Sequence, residues 1–223
     1  LAPESLTGLA AKHDLDYIFS EIDTLMSESD DGFRRIMEIV KNLKNFARTD
    51  SETSISNYNL NRGIESTLVV AWNEVKYVAE VDKRLGDIPE IEADGGGINQ
   101  VILNLLINSA QAIESQGRGE KGRITIETAL EGPNISCTIS DNGPGIPAET
   151  RFRIFDPFFT TKDPGKGTGL GLSISYDIIV NKHGGSITVG DAPGGGASFK
   201  IVLPVQHPKA PEKKDDDPRL EDR

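Results

Sequence analysis

The sequence predicts an α+β fold, a two-layer sandwich of helices on a sheet, preceded by a separate long helix. Three observations carry this expectation. Apolar residues recur at heptad spacing through the first quarter of the chain; beyond it, apolar helical stretches stand apart from short alternating or β-branched runs; and glycine-rich clusters fall where elements end.

Residues 1–13 are small and polar, with Pro3 and Gly8, and predict no element. Over residues 14–50, Leu15, Ile22, Ile36 and Leu43 share one heptad position, and Ile18, Leu25, Ile39 and Phe46 share the other; only Ser29 and Gly32 interrupt the seam. A helix of about 35 residues is long for a compact fold, so a bundle with other helices is preferred over packing on its own domain. Residues 51–59 read as a polar linker. A domain spanning 60–204 follows: Leu60 to Trp72 is helical, Tyr77 to Val81 strand-like, and Asp94 caps a helix through Ile113. Alternation or β-branched content predicts strands at Arg123 to Ala129, Ile135 to Ser140, Ser186 to Val189 and Ala197 to Leu203, expected to pair antiparallel. Leu170 to Val180 is an apolar helical stretch. Residues 205–223, rich in Pro, Lys, Asp and Glu, read as a disordered tail.

With 35 acidic against 24 basic residues among 223, the net charge of −11 argues against a general nucleic-acid binder, which needs a basic surface. A single cysteine, Cys137, excludes an internal disulfide framework and fits a reducing compartment; its place in an alternating stretch predicts a buried structural thiol. With no apolar run of about 18 residues and no signal peptide, the expected location is cytoplasmic. The chain begins without a methionine and is expected to be the soluble part of a larger protein, whose upstream region is open to membrane anchoring.

The chemistry concentrates in four places. Asn104 and Asn108 lie four apart, on one face of an otherwise apolar helix, and two amides there need polar partners. Asp141-Asn-Gly-Pro-Gly-Ile146 places an acid two residues before a glycine turn, suited to accept a hydrogen bond from a base amine while the backbone admits a ligand. Phe155-Asp-Pro-Phe-Phe-Thr-Thr-Lys162 is followed by Gly165-Lys-Gly-Thr-Gly-Leu-Gly171, which runs into a helix whose free amides suit a polyphosphate.

The order N-x-x-x-N, D-x-G-x-G, F-x-x-F-F and G-x-G-x-G, closed by Gly194-Gly-Gly-Ala-Ser-Phe199, resembles the ATP-binding domain of sensor histidine kinases, in the superfamily of gyrase, heat-shock protein 90 and mismatch-repair ATPases. It covers roughly Tyr58 to Pro204. Four boxes in this order are a strong signal where one is weak. The resemblance implies a Bergerat-type ATP-binding sandwich with ATP and magnesium as cofactors. It implies that Asp141 binds the adenine amine, with Gly143, Gly145, Ile146 and Phe155 around the nucleotide, and that Asn108 holds the metal. At the phosphate end it places Gly167, Thr168, Gly169, Leu170 and Gly171, with Lys162 and Lys166 supplying charge to the γ-phosphate. Phe155, Phe158 and Phe159 are expected to anchor the lid base as core, the alternative being a docking surface for a phosphoacceptor helix.

Asn104 separates the branches of the superfamily. Hydrolysing relatives carry a glutamate there that activates water, and an amide cannot take a proton; Asn104 therefore joins Lys162 as a candidate catalytic residue for transfer rather than hydrolysis. Gln111 and Ala112 replace a basic residue and an aromatic found in many of these kinases. No H-E-x-x-N-P-L string occurs. His183, in His183-Gly-Gly-Ser-Ile187, reads as structural, His207 lies in the tail, and His13 lacks the following Asn-Pro. Phe33 to Arg48 resembles the second helix of the dimerisation and phosphotransfer hairpin, which places the acceptor histidine upstream of this chain, His13 remaining the alternative. A response-regulator receiver domain is the implied partner, with a homodimer through the hairpin in the parent protein. Rival functions are another superfamily enzyme, an anti-sigma-type serine kinase or ATPase, and a nucleotide-binding module without transfer.

Overall fold

The computed structural model describes residues 17–30, 32–33, 55–162 and 167–206. The chain divides into two compact units, Leu1–Ser51 with Thr160–Gly169, and Glu52–Phe159 with Leu170–Arg223.

In the first unit residues 17–30 form a helix, α1, within the expected heptad region, and residues 32–33 are helical as well; residues 14–16, 31 and 34–50 of that region, and His13 before it, lie outside the described residues. Ile18, Ile22 and Leu25, all on the heptad seam, are exposed, as are Tyr17, Phe19 and Met26. Among the described residues no helix is long and apolar enough to cross a membrane.

The second unit is a layer of helices on a five-stranded sheet. α2 (Leu60–Val75) starts where the Asn59 side chain accepts the Arg62 N–H at 3.0 Å. Its buried stripe of Leu60, Ile64, Leu68, Ala71 and Val75 has the helical period, and Val75 carries the helix one turn past the expected end at Trp72. α3 (Gly95–Glu114) buries Ile98, Val101, Ile102, Leu105, Leu106 and Ile113 against the same core.

β2 (Ala79–Leu85), β4 (Gly122–Glu131), β5 (Asn134–Asp141), β6 (Ser186–Asp191) and β7 (Ala197–Pro204) assemble in the order β2-β4-β5-β7-β6. The expectation of antiparallel pairing holds for three of the four pairs, but β2 and β4 run parallel. Their connection explains it: α3 lies between them and returns the chain across the sheet in the same direction, as parallel neighbours require. A second sheet pairs β1 (Ser56–Tyr58) with β3 (Ile91–Ala93), so part of the segment read as a linker is strand, too short to show alternation.

The helix expected at Leu170 to Val180 is α4 (Gly171–Tyr176) followed without a break by a π-helical turn, Asp177–Lys182. At its end the buried His183 receives the Asp94 N–H on Nε2 at 2.9 Å and places Nδ1 2.6 Å from the Ile178 carbonyl. The histidine is structural, as expected. Cys137 is also buried, and burial pushes its thiol up to about 12.

Candidate nucleotide-binding site

Strand period alone sends Asp141 inward. Ile135, Cys137, Ile139 and Asp141 occupy every second position of β5, and all four are buried. The first three pack into the core. Asp141, last in the row, ends beneath α3, where Ser109 Oγ donates to its Oδ2 at 3.3 Å; on the other oxygen, Oδ1 accepts Gly143 N–H at 2.9 Å and Ala197 N–H at 3.2 Å. Burial raises the Asp141 carboxyl above its ordinary range, and these three donors pull the other way without cancelling it.

The loops around this carboxylate fit closely. A Cβ on Gly143 would stand 2.9 Å from Asp141 Oδ1 and 3.1 Å from Ala112 Cβ of α3, so glycine at 143 is what lets the turn seat here. Gly145 has φ +77°, and a Cβ there would meet the Gly196 carbonyl at 3.3 Å. Gly196 is tighter still, with φ +91° and a Cβ position 2.0 Å from the Asp141 carbonyl. Ile146 is half-buried against the core, and its carbonyl accepts Arg151 Nε at 2.9 Å.

On α3, Asn108 immediately precedes Ser109 and Asn104 lies one turn before it; both are half-buried. Asn104 Nδ2 donates to the Gly171 carbonyl at 3.1 Å and lies 3.4 Å from Ser175 Oγ, so it joins α3 to α4. Leu170 is buried, and its carbonyl accepts Ile174 N–H at 3.0 Å as α4 begins. Phe155 packs on the core, its ring centroid 5.6 Å from that of Tyr176, and Phe159 packs there beneath the Arg153 guanidinium. Phe158 departs from the expected core role. It is 66% exposed with φ +66°, a left-handed backbone that turns its ring outward.

Lys162, Gly167, Thr168 and Gly169 belong to the other unit. Within it Thr160 Oγ1 accepts Lys162 N–H at 3.2 Å, a Cβ on Gly167 would sit 3.1 Å from Thr160 Oγ1, Gly169 has φ +67°, and Thr168 is half-buried. Burial pushes the Lys162 ammonium below its ordinary pKa. Lys166 lies outside the described residues. The structure thus gathers Asn104, Asn108, Asp141, Gly143, Gly145, Ile146, Phe155, Leu170 and Gly171 in one unit. Ser109 and the Ala197 amide are additions. The Gly194–Gly196 run hinted at the second; nothing in the sequence marked Ser109 beyond its place beside Asn108.

A buried carboxylate ringed by donors under an asparagine-bearing helix, on a mixed sheet with interlocked glycine loops, defines the class of ATP-binding α+β sandwiches. Residues 93–207 match the model for "Histidine kinase-, DNA gyrase B-, and HSP90-like ATPase", and the chain belongs to that family. Within it, the chain carries the ATP-binding catalytic domain of a histidine kinase. The signal transduction histidine-protein kinase AtoS of Escherichia coli is 38% identical over 176 residues, 76% of this chain and 27% of that protein. The catalytic domain of histidine kinase ThkA is 32% identical with a TM-score of 0.60, over 68% of this chain and 98% of that domain. ThkA solved in complex with response regulator protein TrrA is 28% identical with a TM-score of 0.61, over 78% of this chain and 49% of ThkA. The match spans from about a quarter down to about an eighth of the length of the curated relatives.

Proposed function

We propose that this chain holds ATP for transfer of its γ-phosphoryl group to a histidine imidazole on a helical hairpin, and that it does so as part of a two-component sensor kinase. The observation that carries the reading is the pairing of Asp141 with Asn104. Asp141 is an acceptor fixed by three donors and suited to an adenine amine, while the adjacent helix offers an amide and not a carboxylate where a hydrolase would need a general base.

Each residue has a distinct part. Asp141 orients the base, and the close approach at Gly143 and Gly145 leaves backbone in place of side chains around it. Asn104, bonded to Gly171 and near Ser175, keeps α4 aligned with α3. Asn108 supplies an amide oxygen, a hard donor that fits magnesium; among the described residues no group of three His, Cys, Asp or Glu side chains is placed to hold a metal, so phosphate and water oxygens would complete its shell. Magnesium, when bound, neutralises charge on the phosphates. Lys162 and Lys166 are assigned to the γ-phosphate. The protein's contribution is position and charge. A response-regulator receiver domain is the proposed downstream partner, in keeping with the ThkA complex, and the parent is proposed to be a homodimer through the hairpin.

The test is phosphotransfer from γ-labelled ATP to a separately supplied histidine-bearing hairpin. The expected product is a phosphoryl adduct stable to base and lost in acid. An acid-stable ester, or rapid ATP turnover without an acceptor, would sink this reading.

A further inference from the structure

Residues 147–159 connect the glycine turn to Phe159 through successive tight turns, Thr150 N–H to the Pro147 carbonyl and Arg153 N–H to the Thr150 carbonyl among them. Arg151, in their midst, faces two ways. Its Nε donates to the Ile146 carbonyl at 2.9 Å and its Nη2 to the Asp191 carboxylate. Asp191 is 73% exposed, but the Arg151 side chain is only 28% exposed. Asp191 ends β6, where the hairpin loop to β7 begins; in that loop Ala192 N–H donates to the Gly196 carbonyl, and the next amide, Ala197 N–H, holds Asp141. On the other side of Arg151, Ile146 follows Gly145, whose backbone abuts Gly196. Both loops that touch the Asp141 carboxylate therefore meet on one guanidinium.

We propose that Arg151 is a positioning residue for base recognition, setting the spacing between the Asp141–Ile146 turn and the β6–β7 hairpin through the Ile146 carbonyl and Asp191. An exposed ion pair alone contributes little, because solvent screens it. Here the arginine side chain is mostly covered and spends a second donor on a main-chain carbonyl, a fork that lysine cannot reproduce. The inference rests on Asp141 being the adenine acceptor.

Binding of ADP and of adenosine to the 223-residue chain, measured by calorimetry well below the unfolding temperature, tests it. Arg151→Ala is expected to raise both dissociation constants by about tenfold, Arg151→Lys by less, and Asp191→Ala by about threefold, with the double variant no worse than Arg151→Ala because the two side chains act as one unit. Equal loss for the two ligands marks an effect at the base end, which general loosening of the fold would not produce at that temperature. Affinities within twofold of the unaltered chain for Arg151→Lys and Asp191→Ala, or effects that add in the double variant, overturn the proposal. Failure of the unaltered chain to bind ADP overturns the ATP reading and this inference with it.

Discussion

At Asp141 the division of labour between the two carboxylate oxygens decides what a substitution does. Both backbone donors, Gly143 and Ala197, reach Oδ1, whereas Oδ2 faces Ser109 Oγ. An asparagine can keep its carbonyl oxygen at the Oδ1 place and turn its amide toward Ser109 Oγ, which accepts as readily as it donates. Asp141→Asn is therefore expected to retain the fold, with a thermal midpoint no lower at neutral pH because a buried charge is removed, and to lose adenine-nucleotide binding. Unchanged ADP affinity in a folded variant would contradict the role of this residue. The same carboxyl carries a pH signature. Its folded pKa is raised, so burial disfavours the ionised form: the ionisation cost to stability is absent below the unfolded pKa, builds as pH rises from there, and is fully present above the folded one. Base recognition needs the ionised acceptor and runs the opposite way. In a titration of affinity against pH on the unaltered chain, ADP affinity is expected to begin falling, as pH is lowered, above the range of an ordinary aspartate; a fall confined to the ordinary range would contradict it. Gly196 is another residue with no room for change. A side chain there meets the Asp141 carbonyl and an unfavourable φ together, so Gly196→Ala should cost on the order of 2–5 kcal/mol in a denaturant titration.

The elements that hold the site are joined by polar contacts as well as apolar ones. Asp94 N–H donates to His183 Nε2, which fixes the neutral tautomer with its proton on Nδ1 and directed to the Ile178 carbonyl. Beside it Lys182 Nζ lies 2.8 Å from Asp94 Oδ2, with both side chains mostly buried. Burial raises the Asp94 carboxyl, but the Lys182 bond, the Gly97 N–H and the nearby charge of Lys182 together bring the group below its ordinary range. The start of α3 is thereby fixed to the end of the π turn. His183→Ala removes two buried bonds at once, and the expected loss is about 2–4 kcal/mol, read as a lower denaturant midpoint with unchanged slope. At this scale the sequence was legible wherever a period was long enough to repeat. α3 lay within one residue of its expected ends, and β5 and β7 followed from alternation, which also sent Asp141 inward. What stayed hidden was non-local. β1 and β3 have three residues each, too few to show a period, and the parallel direction of β2 and β4 depends on the course of α3 between them. Arg151 carried no mark in the sequence; its meaning depends on Asp191, forty positions away.

Among the described residues the apolar core is confined to one of the two units. The cluster of buried hydrophobic residues runs from Leu60 to Leu203, whereas the described residues of α1 are exposed throughout. Area removed from water is the main favourable term in folding, so cooperative unfolding is expected to belong to the sheet unit. The comparison with ThkA points the same way, since a structure consisting of its catalytic domain alone is matched over 98% of its length. Removal of residues 1–51 is accordingly expected to leave a single cooperative thermal transition within about 5 °C of the full chain, a shift corresponding to roughly 1–2 kcal/mol for a domain of this size. ADP affinity should stay within about threefold, or roughly 0.7 kcal/mol, because Asp141, its three donors and the Arg151 contacts all lie in the retained unit. The two readouts separate the possible failures. Loss of the cooperative transition would show that the sheet unit needs the N-terminal region to fold. A preserved transition with affinity lowered more than tenfold would instead show that nucleotide binding depends on residues 1–51.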